Sequence, residues 1–502
     1  MGLREGILET LPAEARSYIA DVEQQLLHLE SRYDHLKEEL RLLLYKRFGR
    51  SSEAAGGSQH ELFVEAEVES RNEEDDGEEL QIAAHTRKKR GRKPLDENLP
   101  RVEILHDIAE EEKHCACGHE LVCIGQEESE RLQIIPEQVW VERHIRPKYA
   151  CRHCEGSGDE EKPAVRIASA PPSMIPGSIV TPGLLAFILV NKFCDHLPFY
   201  RQETRFKRLG IHISRQGMSN WTMAAAGKMA PLIELFRQEI RGGPLIQMDE
   251  TPVQVLNEPG RPNTRKSYMW LARGGPPGSP VLLYTYRPTR GQDYPLQFLS
   301  GYQGYLQTDG YPAYDRVAEA EGGITHVGCW AHLRRKFFDA GKASRKTGAA
   351  QAALAQIATI YRQEKELRNE YRDKPKVFLA ARREKIQPEI EAFNAWLTDK
   401  ADKVVPSTLL GKAVGYGISQ WPKLVRFLDE PYLTPDTNAA ENAIRPFVVG
   451  RKNWLFSGSP RGADSSCAIY SLIETAKQNG LNPYAYLHYL FTQVPAISTD
   501  EQ

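Results

Sequence analysis

Between residues 244 and 329 short apolar runs alternate with helical segments, and two of those runs carry an aspartate at or near their end. Few folds accommodate that succession. Residues 244–249 form the first run, ending in Asp249, and residues 253–256 continue it past Glu250, Thr251 and Pro252. Asn257-Glu258-Pro259-Gly260 has the composition of a turn. Residues 268–272 and 281–286 read as a second and a third strand. Residues 290–299 read as a helix, and residues 305–310 as a fourth strand bearing Asp309. After a further helix, residues 325–329 read as a fifth strand.

Three antiparallel strands, a helix, a strand, a helix and a strand is the order of a ribonuclease H-like fold, in which the first and fourth strands are neighbours. Asp249 and Asp309 would then project at one place. Paired carboxylates of this kind suit two divalent cations about 3.5–4 Å apart. Hard oxygen ligands favour magnesium, with manganese as a substitute. A third carboxylate is expected on a helix packed against the strands, and Glu441, within Asn438-Ala439-Ala440-Glu441-Asn442, is the candidate. Any one of these acids alone would read as a solvated surface group. Asp309 and Glu441 lie 132 positions apart (441 − 309), more than a plain core of this type needs. A helical insertion over residues 343–430 is therefore expected. Leu354, Ile357, Ile360, Tyr361 and Leu367 recur at helical spacing, and residues 377–397 and 409–428 suggest two more helices. Cys329 and His332 have a metal-ligand spacing. With only two ligands in view they read as core, with Trp330 buried beside them.

At 502 residues the chain has room for roughly three domains. In residues 1–50, Ile19, Val22, Leu26, Leu29, Tyr33, Leu36, Leu40 and Leu43 follow the 3,4 spacing of a coiled-coil seam. That pattern predicts self-association as a homodimer or higher oligomer; the plainer alternative is one amphipathic helix lying on the protein's own body. Residues 51–99 read as a disordered linker, with ten acids against one arginine between Glu61 and Glu79. Arg87-Lys88-Lys89-Arg90-Gly91-Arg92-Lys93-Pro94 follows, and Arg90 and Arg92 around Gly91 resemble an arm that enters a narrow minor groove. A solvated charge run is the bland reading. The overall charge of −2 does not exclude nucleic acid, because the charge is unevenly spread.

Eight cysteines are too few for a disulfide scaffold in a chain of this length. Within residues 100–165, Cys115, Cys117, Cys151 and Cys154 form two close pairs that predict one structural zinc in a ribbon-like module. Strands such as residues 139–145 would bring the pairs together. The one-residue gap of the first pair is unusual; His114 is an alternative to Cys115, and His119 and Cys123 are spares. Unmetallated buried thiols are the alternative. Residues 166–243 look helical. A helix from Phe199 to Leu209, a stop at Gly210 and a helix capped by Ser214 resemble a helix-turn-helix, made basic by Arg201, Arg205, Lys207, Arg208 and Arg215. No run of 18 apolar residues exists, and the first residues lack an apolar signal core. These features predict a cytoplasmic protein with no membrane partner.

Met248-Asp249-Glu250-Thr251-Pro252, Thr308-Asp309-Gly310-Tyr311, Cys329-Trp330-Ala331-His332-Leu333-Arg334-Arg335-Lys336-Phe337 and Asn438-Ala439-Ala440-Glu441-Asn442-Ala443-Ile444-Arg445-Pro446 resemble the motifs of the insertion sequence 66 family of bacterial transposases. The resemblance extends to the segment after the coiled coil, to Pro147-Lys148-Tyr149-Ala150-Cys151 and to Gly450-Arg451-Lys452-Asn453-Trp454. It implies a DDE transposase with Asp249, Asp309 and Glu441 as its triad, double-stranded DNA as substrate (terminal inverted repeats and target), and small accessory transposition proteins as partners. Residues 431–502 would complete the core begun at 244–342. Arg445, Arg451, Lys452 and Arg461 are candidates for phosphate contacts, and Trp454 for base stacking or, equally, for the core. Asn442 departs from the arginine common at that place. The rivals are an inactive DNA-binding protein of the same fold and a nuclease that never joins strands. A zinc hydrolase is a distant third.

Overall fold

The computed structural model describes residues 12–48, 138–150, 165–320, 322–343 and 348–497. The chain divides into two units, Glu73–Ala170 and the combination of Met1–Asn72 with Pro171–Gln502. In the smaller unit β1 (Lys148–Ala150) pairs antiparallel with β2 (Val165–Ile167), Tyr149 opposite Arg166. Arg146 Nη1 donates to the Ala168 carbonyl at 3.0 Å beside that pair. Residues 139–145, expected as a strand, have no regular structure. They are rich in β-formers but have no pairing partner among the described residues, and a strand needs one. Cys115, Cys117, Cys151, Cys154, Arg90 and Arg92 lie outside the described residues.

The larger unit opens its body with four helices: α2 (Pro182–Phe193), α3 (Phe199–Arg208), α4 (Arg215–Lys228) and α5 (Ala230–Gly242). Their ends follow from local chemistry. Thr181 and Ser214 cap α2 and α4 by accepting from Leu184 N and Gly217 N. Gly210 turns the chain between α3 and α4 at a φ of +78°, where a side chain would be strained. Ile188, Phe206, Ile213 and Met218 form the small core beneath these helices.

Next come β3 (Leu245–Val255), β4 (Lys266–Gly274), β5 (Val281–Arg287), α6 (Asp293–Leu299), β6 (Gly304–Gln307), α7 (Pro312–Ala320) and β7 (Ile324–Val327). This is the strand and helix order read from the sequence. The sheet runs β5-β4-β3-β6-β7. The first three strands pair antiparallel, while β6 pairs parallel with both β3 and β7. Pro252 does not interrupt β3, which runs through it. The fourth and fifth strands end before the residues expected to close them. After Gln307 the chain turns, and Asp309 Oδ1 accepts from Tyr311 N at 2.9 Å, a side-chain turn that competes with the ladder. After Val327, Gly328 N leaves the sheet for the Lys423 carbonyl (3.0 Å).

The segment between the two halves of the core is helical: α8 (Trp330–Ala343), α9 (Ala349–Glu370), α10 (Pro375–Lys385), α11 (Gln387–Ala401) and α12 (Leu409–Leu424). Where one helix was expected over 377–397 there are two, meeting at Ile386. Pro388, in the first turn of α11, has no N–H to continue the helix. The insertion has its own core, in which Trp330, Ile357, Phe393 and Phe427 are fully buried. Beneath it Glu364 accepts from Arg368 Nε (2.9 Å), Arg382 Nε (3.0 Å) and Arg382 Nη2 (2.7 Å). The chain then returns to the sheet through α13 (Asn438–Trp454) and β8 (Phe456–Ser457), which pairs with β3. It ends with α14 (Pro460–Gln478) and α15 (Pro483–Gln493).

Helix α1 (Ala13–Phe48) touches α8, and Glu38 accepts from Leu409 N at 3.1 Å. It therefore does lie on the body. Its apolar seam nevertheless faces away: Val22, Leu26, Leu29, Tyr33, Leu36, Leu40 and Leu43 are all exposed, from 43% to 64%. Among the described residues no helix is long and apolar enough to cross a membrane.

Candidate functional site

Strand pairing places the two aspartates. In the parallel ladder Gln247 stands opposite Gln307, and Asp249 and Asp309 each follow by two residues. Side chains lock this pair. Gln247 Nε2 donates to Gln307 Oε1 (2.8 Å), Gln307 Nε2 to the Thr434 carbonyl (2.7 Å), and Arg273 Nη1 to Gln247 Oε1 (3.0 Å). Side chains alternate along a strand, so Asp249 shares a face with Thr251, Val253 and Val255. That face packs on α13 through a core that includes Ala440, Ala443 and Ile444. Glu441 lies in the first turn of α13. The three acids thus converge, and the charges of Glu441 and Asp309 both bear on Asp249. Burial first, then repulsion from Glu250, Glu441 and Asp309, pushes the Asp249 carboxyl up to about 7. The Glu250 N–H donated to Asp249 Oδ1 (2.8 Å) opposes this only in part.

The insertion reaches this site through Tyr416 on α12. Gly310, next to Asp309, has no room for a side chain, since a Cβ there would stand 2.7 Å from the Tyr416 ring. Glu250 points to the opposite face of the sheet. It is bound by Arg290 (Nη2–Oε1 2.6 Å) and accepts from Tyr314 on α7 (2.5 Å). Burial raises its carboxyl despite both partners. Arg290 also stacks over Tyr311, 4.0 Å from its centroid. The sequence reading passed over Glu250, Arg290 and Tyr314. The alternation of Asp249 and Glu250 along one strand was the available signal that the two acids serve different faces.

Around Glu441 the structure joins residues that the sequence left apart. Thr437, the residue before α13, has its hydroxyl 3.3 Å from both Glu441 Oε1 and Cys329 Sγ, and its N–H donates to the same sulfur at 3.4 Å. His332 Nδ1 lies 3.6 Å from Glu441 Oε1. Cys329 and Trp330 are buried as expected. Burial, with the charges of Glu441 and Asp436, pushes the Cys329 thiol up to about 12. Cys329 and His332, read as core, are therefore also neighbours of the third acid.

Arg451 Nη1 donates to Thr251 Oγ1 at 3.3 Å, which ties α13 to β3 two residues from Asp249, and burial lowers its pKa. Arg445 is half-buried, while Lys452 and Arg461 are exposed. Trp454 is half-buried and packs edge-on against Phe447, ring centroids 5.3 Å apart.

Residues 177–465, more than half of the chain, match the Transposase IS66 family. The chain belongs to that family. Three further matches agree with it: residues 112–155 with the zinc-finger binding domain of transposase IS66, 471–502 with the IS66 C-terminal element, and 35–104 with a segment described as Transposase C of IS166 homeodomain. The zinc-finger match spans all four cysteines read as zinc ligands. Among relatives, the uncharacterized protein y4qI of Sinorhizobium fredii (strain NBRC 101917 / NGR234) is 33% identical over 430 residues, covering 83% of this chain and 77% of that protein. The uncharacterized protein y4jD of the same strain is 32% identical over 420 residues, covering 81% and 79%. Family membership makes this chain a transposase, a DNA-binding protein with a zinc-finger domain.

Proposed function

We propose that this transposase cleaves DNA at transposon ends and joins the freed 3′ ends to target DNA, with Asp249, Asp309 and Glu441 as the catalytic carboxylates. The observation that carries the reading is the convergence of these three acids, Asp249 within β3, Asp309 just past its parallel neighbour β6 and Glu441 in the first turn of α13, where burial first and then repulsion from Glu250, Glu441 and Asp309 raise the Asp249 carboxyl to about 7. Mutually repelling carboxylates suit hard divalent cations, so the residues fit two magnesium ions. Bound there, magnesium supplies activation of a water or a 3′-hydroxyl and stabilisation of the leaving oxygen. The chain supplies position. The Gln247–Gln307 pair sets the spacing of the aspartates, the start of α13 aims Glu441, and Arg445, with Arg451 and Lys452 in the last turn of the same helix, meets backbone phosphates.

The strand order β5-β4-β3-β6-β7 supports a ribonuclease H-like core. Exposed Arg201, Lys207, Arg208 and Arg215 around the α3–α4 turn support a helix-turn-helix that holds DNA. The exposed seam of α1 supports a homodimer or higher oligomer, which would hold two DNA ends in one complex. The family resemblance extends the partners to small accessory transposition proteins, and the four-cysteine module to one structural zinc. The test is metal-dependent nicking of a labelled terminal-repeat duplex. Asp249→Asn and Glu441→Gln should lose nicking and keep binding; normal nicking by either removes that residue from the triad.

A further inference from the structure

Glu441 has a second set of neighbours that the carboxylate cluster does not use. Ligand atoms of Cys329, His332 and Glu441 all lie within 4.8 Å of one another, the one such group of three found among the described residues. A tetrahedral zinc with bonds of about 2.1 Å separates two of its ligand atoms by about 3.4 Å. The His332–Glu441 edge, at 3.6 Å, already has that length. The widest edge needs to close by roughly 1.4 Å at most for bonds of this kind (4.8 − 3.4), a shift within reach of side-chain rotation. His332 Nδ1 is buried with no hydrogen-bond partner, an unmet demand that a metal would satisfy.

Two donors already stand at the sulfur. The Thr437 N–H and hydroxyl both point to Cys329 Sγ, the outer-shell support typical of ligating groups. Cys329 immediately precedes α8 and Glu441 is in the first turn of α13, so two positive helix ends favour the charged ligands. Thiolate with imidazole selects zinc over magnesium. The side chains of His332 and Glu441 are 31% and 34% exposed, which leaves an entry path and a fourth position for water.

We propose that Cys329, His332 and Glu441 bind a zinc ion, and that zinc held there withdraws Glu441 from Asp249 and Asp309 and switches off the DNA chemistry. Binding releases the Cys329 thiol proton to solvent. The binding claim stands on geometry alone, while the switch rests on the catalytic reading of Glu441.

The full-length chain, equilibrated in buffered free zinc, separates the two. Wild type should hold one zinc more per chain than Cys329→Ser or His332→Gln, with circular dichroism confirming that each variant is folded. A Cys151→Ser, Cys154→Ser double variant should lose a different zinc and keep this one. Equal zinc content and affinity in wild type and both site variants would overturn the site. In an end-joining assay at fixed magnesium, zinc should inhibit wild type. Cys329→Ser should need at least tenfold more zinc for half-inhibition relative to its own zinc-free rate. Unchanged inhibition in a variant that has lost the extra zinc would overturn the switch. A wild type that takes up the extra zinc, yet joins no ends in magnesium when that zinc is absent, would uphold the site and overturn the catalytic reading instead.

Discussion

Asp249→Asn should make the magnesium-free protein more stable, most of all at high pH. The Asp249 carboxyl stands at about 7 against an ordinary value of 3.8. A carboxyl raised on folding binds its proton more tightly in the folded chain. The stability this contributes is complete below 3.8 and is lost as pH rises to about 7. Above that, ionised Asp249 costs up to ~4 kcal/mol, taking about 1.4 kcal/mol for each tenfold change in proton affinity. Asparagine has nearly the same shape and keeps an oxygen for the Glu250 N–H, but carries no charge. The variant should therefore gain up to ~4 kcal/mol at about pH 8 and less than half of that at about pH 5. Thermal unfolding without magnesium, followed by tryptophan fluorescence at both pH values, measures this. Magnesium should then raise the transition of wild type more than that of the variant, because wild type has one more carboxylate at the site for it to bind and neutralise. A variant no more stable than wild type at about pH 8 would show that burial and the neighbouring acids do not raise the Asp249 carboxyl as described.

Three further outcomes follow from the structure. Glu364→Ala leaves Arg382, which is fully buried, without its carboxylate. The variant should lose ~3–5 kcal/mol in urea unfolding, and an unchanged midpoint would contradict this. Leu29→Glu with Leu36→Glu alters two side chains that are each 60% exposed. Thermal stability should hardly change, but light scattering should report a smaller species; an unchanged mass would remove α1 from self-association. Arg451→Ala should weaken DNA binding and reduce its salt dependence by about one phosphate contact. An unchanged salt slope would leave Arg451 as a tie to Thr251 alone.

Much of the core was legible because its strands are short, apolar and bounded by turn residues. The order of elements over residues 244–327, the adjacency of the strands that lead to Asp249 and Asp309, and Trp330 in the core all followed from that pattern. Where strands end was less legible. Asp309 and Cys329 lie past their strands because a side-chain turn at Asp309 and a carbonyl partner for Gly328 outcompete the ladder, and neither is visible in a hydrophobic pattern. The break at Ile386 was readable from Pro388 but was masked by continuous helical spacing. The grouping of Cys329 and His332 with Glu441 was not legible. It depends on α8 and α13 starting at the same place, although more than a hundred residues separate them. The partners of Glu250 were equally hidden, since Arg290 and Tyr314 come from a loop and a helix on the far face of the sheet.

The central claim is that three converging carboxylates perform strand joining, and a strand-transfer reaction tests it most directly. Purified full-length protein would be given labelled transposon-end DNA with a free 3′-hydroxyl, a target plasmid and magnesium, with Asp309→Asn alongside. The account predicts joined product from wild type only, lost when magnesium is withheld. Joined product from Asp309→Asn, or metal-dependent cutting by wild type with no joining, would contradict it.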